Sequence, residues 1–302
     1  MIRVLASDGM DKAASAKLRE LGFEVVEQFY EPEQLGEELK NYDVLVVRSA
    51  TKVRKPVIDA ASEAGRLKLV IRAGVGVDNI DVAYALEKGL KVANTPNSSS
   101  ASVAELAIGH MFALARFIAI SNVTMREGKW EKKKYKGIEL AGKTLGLVGF
   151  GRISREVAKR AEALGMTVLY TDIIGEAKGC TYEYCQFADV LKRSDFVSLH
   201  IPFIKENGPA IGADEIAMMK DGAYLINCAR GGVVSEKALL DALNSGKLAG
   251  AGIDVFEEEP PTTAELVNHP NVSVTPHIGA STAEAQERIG GETVSVIAEF
   301  FI

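Results

Sequence analysis

Leu145-Gly146-Leu147-Val148-Gly149-Phe150-Gly151-Arg152-Ile153-Ser154 joins an apolar run to a glycine turn and the start of a helix. That succession is a mount for a dinucleotide pyrophosphate. Gly149 permits the tight turn, and Gly151 lets the backbone approach the phosphates. Arg152 and Ile153 open a helix predicted to run to Ala163, whose first N–H groups have no partner within the helix and point at the anion. Thr167-Val168-Leu169-Tyr170-Thr171-Asp172 reads as the next strand and ends in a carboxylate, placed to accept hydrogen bonds from the hydroxyls of an adenosine ribose. A 2′-phosphate would meet that negative charge, so the motif selects NAD over NADP. Ser154 stands where the fingerprint has its third glycine. That position governs helix–strand packing, and serine is small enough for it.

Outward from this motif, the bulk properties narrow the class. The 302 residues exceed the size at which one core stops growing, so two domains are expected. With 47% apolar and 25% charged residues, the composition is that of an ordinary soluble globular protein. A net charge of −6 argues against nucleic-acid binding and leaves any anionic ligand to a few local cations. Three cysteines form no disulfide framework; Cys180 and Cys185 carry no metal-ligand spacing, and no metal is expected. No apolar run is long enough to span a membrane and no signal-peptide pattern opens the chain, so the expected location is cytoplasmic.

Strands are predicted at Val4–Ala6, Phe23–Glu27, Val44–Arg48, Leu69–Arg72 and Lys91–Asn94, alternating with helices such as Asp11–Leu21 and Glu33–Lys40. This is a small α/β unit with a parallel sheet. Residues 101–125 read as one long helix, apolar on most faces, with Ser100 and Ser102 as candidate caps. A helix of that character is buried between domains or against a second subunit, which points to a homodimer through 101–125. His110 reads as a packed residue of that helix. After the dinucleotide motif the alternation resumes with strands at Phe196–His200, Ala223–Asn227, Gly250–Asp254 and Val272–Thr275. The last helix, Thr282–Phe301, is expected to return to the N-terminal unit. Arg48, Arg72, Asp172, His200, Arg230 and Asp254 all fall at or just after strand ends, where ligands bind in such folds.

Three of these ends carry chemistry: Asn227-Cys228-Ala229-Arg230-Gly231-Gly232, Asp254-Val255-Phe256-Glu257-Glu258-Glu259-Pro260-Pro261 and Thr275-Pro276-His277-Ile278-Gly279-Ala280. Hydride transfer at C2 of a hydroxy acid needs a cation for the carboxylate, a proton carrier at the oxygen and a group that orients that carrier. Arg230 matches a carboxylate with its planar fork. His277 exchanges a proton near neutrality, and Glu259 beside it favours the charged imidazole.

Together with the glycine turn, these segments resemble the D-isomer-specific 2-hydroxy acid dehydrogenases, and the likeness spans nearly the whole chain. The resemblance implies two Rossmann-like α/β domains with parallel sheets and an active site in the cleft. A discontinuous substrate-binding domain would span 1–96 plus 278–302, and an NAD-binding domain 97–277. It makes Arg230, Glu259 and His277 the catalytic residues. Cofactor contacts are implied for Val75, Gly149, Gly151, Arg152, Ile153, Asp172, His200, Ile201, Pro202, Cys228, Ala229, Asp254, Gly279 and Ala280. His200 is expected to shape a cofactor-side turn rather than do chemistry.

Within that family, Val47–Val53, Arg72–Asp81, Asn94–Asn97 and Trp130–Tyr135 are similar to segments of the D-3-phosphoglycerate dehydrogenases, although Ser98 and Ser99 replace a common Gly-Asn. The resemblance implies oxidation of D-3-phosphoglycerate, the first step of serine synthesis. A phosphorylated hydroxy acid brings roughly three negative charges, more than one arginine would meet. Arg48, Ser49, Arg72, Gly74 and Lys132 are therefore the expected substrate-binding residues, with the phosphate on Arg48 and Arg72. The sequence ends at Ile302, without the regulatory domain of longer relatives, so no feedback inhibition by L-serine is expected. A glyoxylate or hydroxypyruvate reductase would share every catalytic residue. An NAD-responsive binding protein would need a peptide groove and long tails.

Overall fold

In the computed structural model, which describes residues 1–302, strands and helices alternate from the first residues onward. The opening stretch holds β1 (Arg3–Ala6), α1 (Lys12–Glu20), β2 (Glu24–Glu27), α2 (Pro32–Glu38), β3 (Val44–Val47), α3 (Lys55–Glu63), β4 (Leu69–Arg72), α4 (Val82–Glu87) and β5 (Lys91–Asn94). The middle holds α5 (Ser100–Ala115), α6 (Ile118–Arg126), β6 (Thr144–Val148), α7 (Arg152–Ala163), β7 (Thr167–Thr171), β8 (Glu183–Tyr184), α8 (Phe187–Arg193) and β9 (Phe196–Leu199). It continues through α9 (Ala213–Met218), β10 (Ala223–Asn227), α10 (Glu236–Asn244), β11 (Leu248–Ile253), α11 (Ala264–Val267) and β12 (Val272–Val274), and α12 (Ala283–Phe301) closes the chain.

Two compact units result: residues 1–99 with 280–302, and residues 100–279. The first is built on a five-stranded sheet ordered β2-β1-β3-β4-β5, with every pair parallel. The second is built on a seven-stranded, all-parallel sheet ordered β12-β11-β10-β9-β6-β7-β8. Both are α/β units of the Rossmann type, and the composition of their strands explains why. Val44–Val47 and Leu69–Ile71 are buried without interruption, as strands covered by helices on both faces must be. In the second sheet the order reverses between β6 and β9, creating the crevice where ligands of such sheets bind.

The helix ends follow local chemistry. The Asp11 carboxylate accepts the Ala14 N–H and starts α1; Ser235 and Thr282 cap α10 and α12 in the same way. The helix predicted over 101–125 is instead two helices, bent by 63° at Arg116-Phe117. Phe117 takes a left-handed conformation (φ 55°), and the Ile138 N–H caps the Ala115 carbonyl that would have continued the ladder. Neither glycine nor proline marks that break. Ser100 and Ser102 lie inside the first turn rather than at the cap. The expectation of burial holds for α5, which packs on β11 and α7. It fails for α6, where Ile118, Val123 and Met125 are exposed and only Thr124 is buried. No single helix is long and apolar enough to cross a membrane.

The chain's return to its first unit buries Ile289 and Ile297 and includes one close approach between helices. A Cβ at Gly290 of α12 would lie 2.8 Å from Ala14 Cβ and 2.9 Å from Asp11 Cβ, on α1 and its cap. Gly290→Ala is therefore expected to push the two helices apart and destabilise the protein by about 1–3 kcal/mol. A shift in the urea midpoint at unchanged m-value would show it.

Candidate active site

Parallel strands deliver their carboxyl ends to one edge of the seven-stranded sheet, and the predicted residues of the second unit lie along it. Gly149 follows β6, Asp172 follows β7, His200 follows β9, Cys228 follows β10 and Asp254 follows β11. Gly149 has φ +84°, and a Cβ there would lie 2.6 Å from the His200 carbonyl oxygen and 2.7 Å from Ile201 Cγ2. Only glycine allows the β6 turn and the His200-Ile201-Pro202 segment to close together. Ser154 is fully buried at the start of α7, in keeping with the packing role of its position.

These residues fit a dinucleotide. The N-cap of α7 is Gly151, so no side chain blocks the first-turn N–H groups of Arg152 and Ile153, and the space beside Gly151 is open. Asp172 Oδ2 accepts the Phe150 N–H at 2.6 Å, and Oδ1 accepts the Ile174 N–H at 3.0 Å. Each oxygen keeps further acceptor capacity for a ribose hydroxyl. Ile173 and Ile174, almost wholly exposed beside it, escaped the sequence reading. Isolated exposed isoleucines carry no pattern, and only the finished turn shows them flanking a candidate adenosine site.

The catalytic candidates of this unit come together. His277 Nδ1 lies 2.8 Å from Glu259 Oε2, both side chains a little over one-third exposed. A carboxylate only accepts, so Nδ1 carries the hydrogen and Nε2 is left free. Burial alone would raise the Glu259 carboxyl. The hydrogen bond and charge of His277, the Phe256 N–H and the charge of Arg230 outweigh it, and the group is held below the usual carboxylate range. Glu259 therefore stays ionised, and Arg230 is within electrostatic reach of it. The turn carrying Arg230 is shaped by Asn227: its Nδ2 donates to the Arg230 carbonyl at 3.0 Å, and its Oδ1 accepts the Ala229 N–H at 3.1 Å. A mainly apolar cavity of about 390 Å³ adjoins the pair, lined in part by Phe256, Val267 and Val274.

His277 itself has φ 54°, a conformation that costs a non-glycine residue about 1–3 kcal/mol. Asp254 over-determines it. The Asp254 carbonyl accepts the His277 N–H at 2.8 Å, and its side chain accepts the N–H groups of Ile278 (2.8 Å) and Gly279 (2.9 Å). Asp254, assigned only to cofactor contact from sequence, is thus also the brace of the histidine loop. Cys228 is buried, which with the nearby Asp254 charge pushes its thiol far up and leaves it no nucleophile.

The first unit holds the remaining candidates. Arg48 and Ser49 follow β3, Arg72 ends β4 with Gly74 and Val75 after it, and Ala280 opens its returning segment. The Arg48 loop is clamped: Asp8 Oδ2 accepts the N–H groups of Arg48 (2.6 Å) and Thr51 (3.1 Å), while Asn79 Nδ2 donates to the Arg48 and Thr51 carbonyls. Arg72 directs one guanidinium donor to the Ala73 carbonyl at 2.6 Å. Lys132, in the second unit, is exposed on a one-turn helix.

Burial pushes His200 down from its ordinary 6.5 to about 4. Above pH 6.5 both folded and unfolded chains hold this residue neutral, and nothing is lost. Between 6.5 and 4 the unfolded chain takes a proton that the folded one refuses, so stability falls as the pH falls. At ~1.4 kcal/mol per pH unit the full loss is roughly 3 kcal/mol. In thermal unfolding at pH 7 and pH 4, His200→Gln is expected to lose less stability on acidification than the parent chain does.

Comparison with known proteins agrees with this geometry. Residues 108–279 match the family described as D-isomer specific 2-hydroxyacid dehydrogenase, NAD binding domain. A hydroxypyruvate reductase of Thermotoga maritima is 50% identical over 299 residues, 98% of this chain and 97% of that protein. A D-3-phosphoglycerate dehydrogenase of Methanocaldococcus jannaschii is 46% identical over 295 residues, 96% of this chain; the chain spans 56% of that relative's length. Among solved structures, a D-lactate dehydrogenase of Aquifex aeolicus complexed with NAD and lactic acid superposes with a TM-score of 0.82 at 32% identity, covering 99% of this chain and 95% of that one. With the glycine turn, the Asp172 carboxylate and the arginine–glutamate–histidine set on one strand edge, the chain belongs to the D-isomer-specific 2-hydroxyacid dehydrogenases and is an NAD-dependent oxidoreductase.

Proposed function

We propose that the chain interconverts D-3-phosphoglycerate and 3-phosphohydroxypyruvate. The observation that carries this reading is the Arg48 loop. Asp8 and Asn79 engage only the backbone of Arg48, so its guanidinium is held on a braced loop with its donors left for an anion. The similarity to D-3-phosphoglycerate dehydrogenases along 96% of the chain supports the same substrate. Arg72, with one donor turned to the Ala73 carbonyl, is the lesser partner for the phosphate.

In this reading Arg230 holds the substrate carboxylate in its fork and draws charge from C2. His277 receives the C2 hydroxyl proton at its free Nε2, while Glu259 fixes the ring through Nδ1 and stabilises the imidazolium that forms. NAD, held by the glycine turn, the α7 N-terminus and Asp172, supplies the hydride acceptor when bound. In the reverse direction the same Nε2 returns the proton. Ile173 and Ile174 would flank the adenine. A homodimer through this part of the chain is supported by the exposed apolar residues of α6 rather than by α5, which is buried in its own unit.

A second reading is reduction of hydroxypyruvate itself. The Thermotoga maritima relative favours it, being alike over nearly its whole length. It would use the same proton carrier and need no phosphate site.

Two experiments test these assignments. Glu259→Gln keeps the hydrogen-bonding shape but removes the charge, and kcat is expected to fall about 100-fold; an unchanged kcat would remove Glu259 from the mechanism. Arg48→Ala is expected to raise KM for 3-phosphohydroxypyruvate by about tenfold or more, leaving hydroxypyruvate nearly unaffected. An equal rise for both substrates, or a parent enzyme that prefers the unphosphorylated acid, would favour the second reading.

A further inference from the structure

His110 lies on α5, outside the set of residues that sequence or family resemblance marks for chemistry, and is 3% exposed. Its ring sits on the sheet over Gly252 of β11, where a Cβ would lie 2.7 Å from His110 Cβ. From there it reaches two hydroxyls on and just beyond β12: Nδ1 lies 2.9 Å from Ser273 Oγ and Nε2 lies 3.1 Å from Thr275 Oγ1.

The hydrogens along this chain of contacts can be assigned. Thr275 has one hydroxyl hydrogen and donates it to Asp254 Oδ1 at 2.6 Å, because a carboxylate can only accept. Thr275 must then accept from His110, so Nε2 carries the ring hydrogen. Nδ1 is left as the acceptor for the Ser273 hydroxyl. Burial, partly offset by the charge of Asp254, lowers the His110 pKa, and the ring is neutral, as this pattern requires. The far end of the chain is the brace already described: Asp254 takes the Ile278 and Gly279 N–H groups and, through its carbonyl, the N–H of His277.

We infer that His110 is a positioning residue for His277, acting through Thr275 and Asp254. The Asp254 carboxylate is buried and shared between a hydroxyl and two backbone donors. If the hydroxyl turns away, the carboxylate keeps only its two backbone donors, and the brace behind the left-handed conformation of His277 is loosened. The His110 N–H prevents this by occupying the Thr275 oxygen from behind, so the hydroxyl hydrogen can point only at Asp254. Ser273, donating to Nδ1, supports the tautomer that Thr275 sets. A small rotation of the acid–base imidazole is enough to lower the rate of proton transfer without disturbing the site that grips the substrate.

This rests on His277 being the proton carrier, so the test includes His277→Gln. Hydroxypyruvate reduction is followed by NADH consumption for His110→Leu, His110→Gln, Thr275→Val, Ser273→Ala and the His110→Leu/Thr275→Val pair, each rate expressed per folded enzyme. His110→Leu and Thr275→Val are each expected to lower kcat about tenfold with KM changed less than about twofold. The pair should be no worse than either alone, since both cut the same chain. His110→Gln, which keeps a donor toward Thr275, is expected to restore most of the rate, and Ser273→Ala to cause a smaller loss. If His110→Leu does not fold, His110→Gln and Ser273→Ala against Thr275→Val carry the test. An unchanged kcat in Thr275→Val, additive losses in the pair, or no advantage of His110→Gln over His110→Leu would overturn the inference. Retained activity in His277→Gln would instead overturn the assignment on which it stands.

Discussion

Every strand of the seven-stranded sheet runs the same way, and the functional geometry of the second unit follows from that constraint. Parallel pairing sends all carboxyl ends to one edge, so residues distant in sequence (Gly149, Asp172, His200, Arg230, Asp254 and His277) arrive there with no further device. Helices on both faces keep the strands dry, and most of their residues are apolar or small. Chemistry is confined to the turns that follow. The same division of labour holds in the first unit, where the Arg48 loop follows a strand of four fully buried residues.

The turns are not left to their own flexibility. Asn227 ties down the turn carrying Arg230, Asp254 holds three successive residues of the histidine loop, and Asp8 with Asn79 clamps the loop of Arg48. Each brace is a short side chain, Asn or Asp, meeting backbone groups that a loop cannot satisfy by itself. A left-handed backbone at His277, the candidate acid–base residue, is tolerated on these terms, its strain spread over bonds that the Asp254 segment supplies.

Much of this was legible in the amino-acid order. The glycine turn, the strand runs and the carboxylate of Asp172 are local patterns, since a strand's period and a turn's glycine are decided within a few residues. The α/β class followed from the alternation, and the division into two units from the chain length and the family resemblance. The failures share a cause. The bend at Phe117 comes from Ile138, far along the chain, taking a helix carbonyl, and no residue at the bend announces it. His110 looked like packing because Ser273 and Thr275 become its neighbours only once β12 lies beside β11. Ile173 and Ile174 were indistinguishable from core residues until the turn exposed them. What the sequence withheld is long-range pairing, not local preference.

Asp172 serves two masters, and this limits how freely the enzyme's coenzyme choice can drift. The carboxylate that would meet a ribose also receives the Phe150 N–H, in the middle of the glycine turn. Replacing it with a small neutral residue to admit a 2′-phosphate would relieve the charge conflict but leave that amide without its partner, loosening the glycine turn proposed to hold the pyrophosphate. Evolution toward the phosphorylated coenzyme along this lineage would therefore need a paired change, one residue to welcome the phosphate and another to take over the amide.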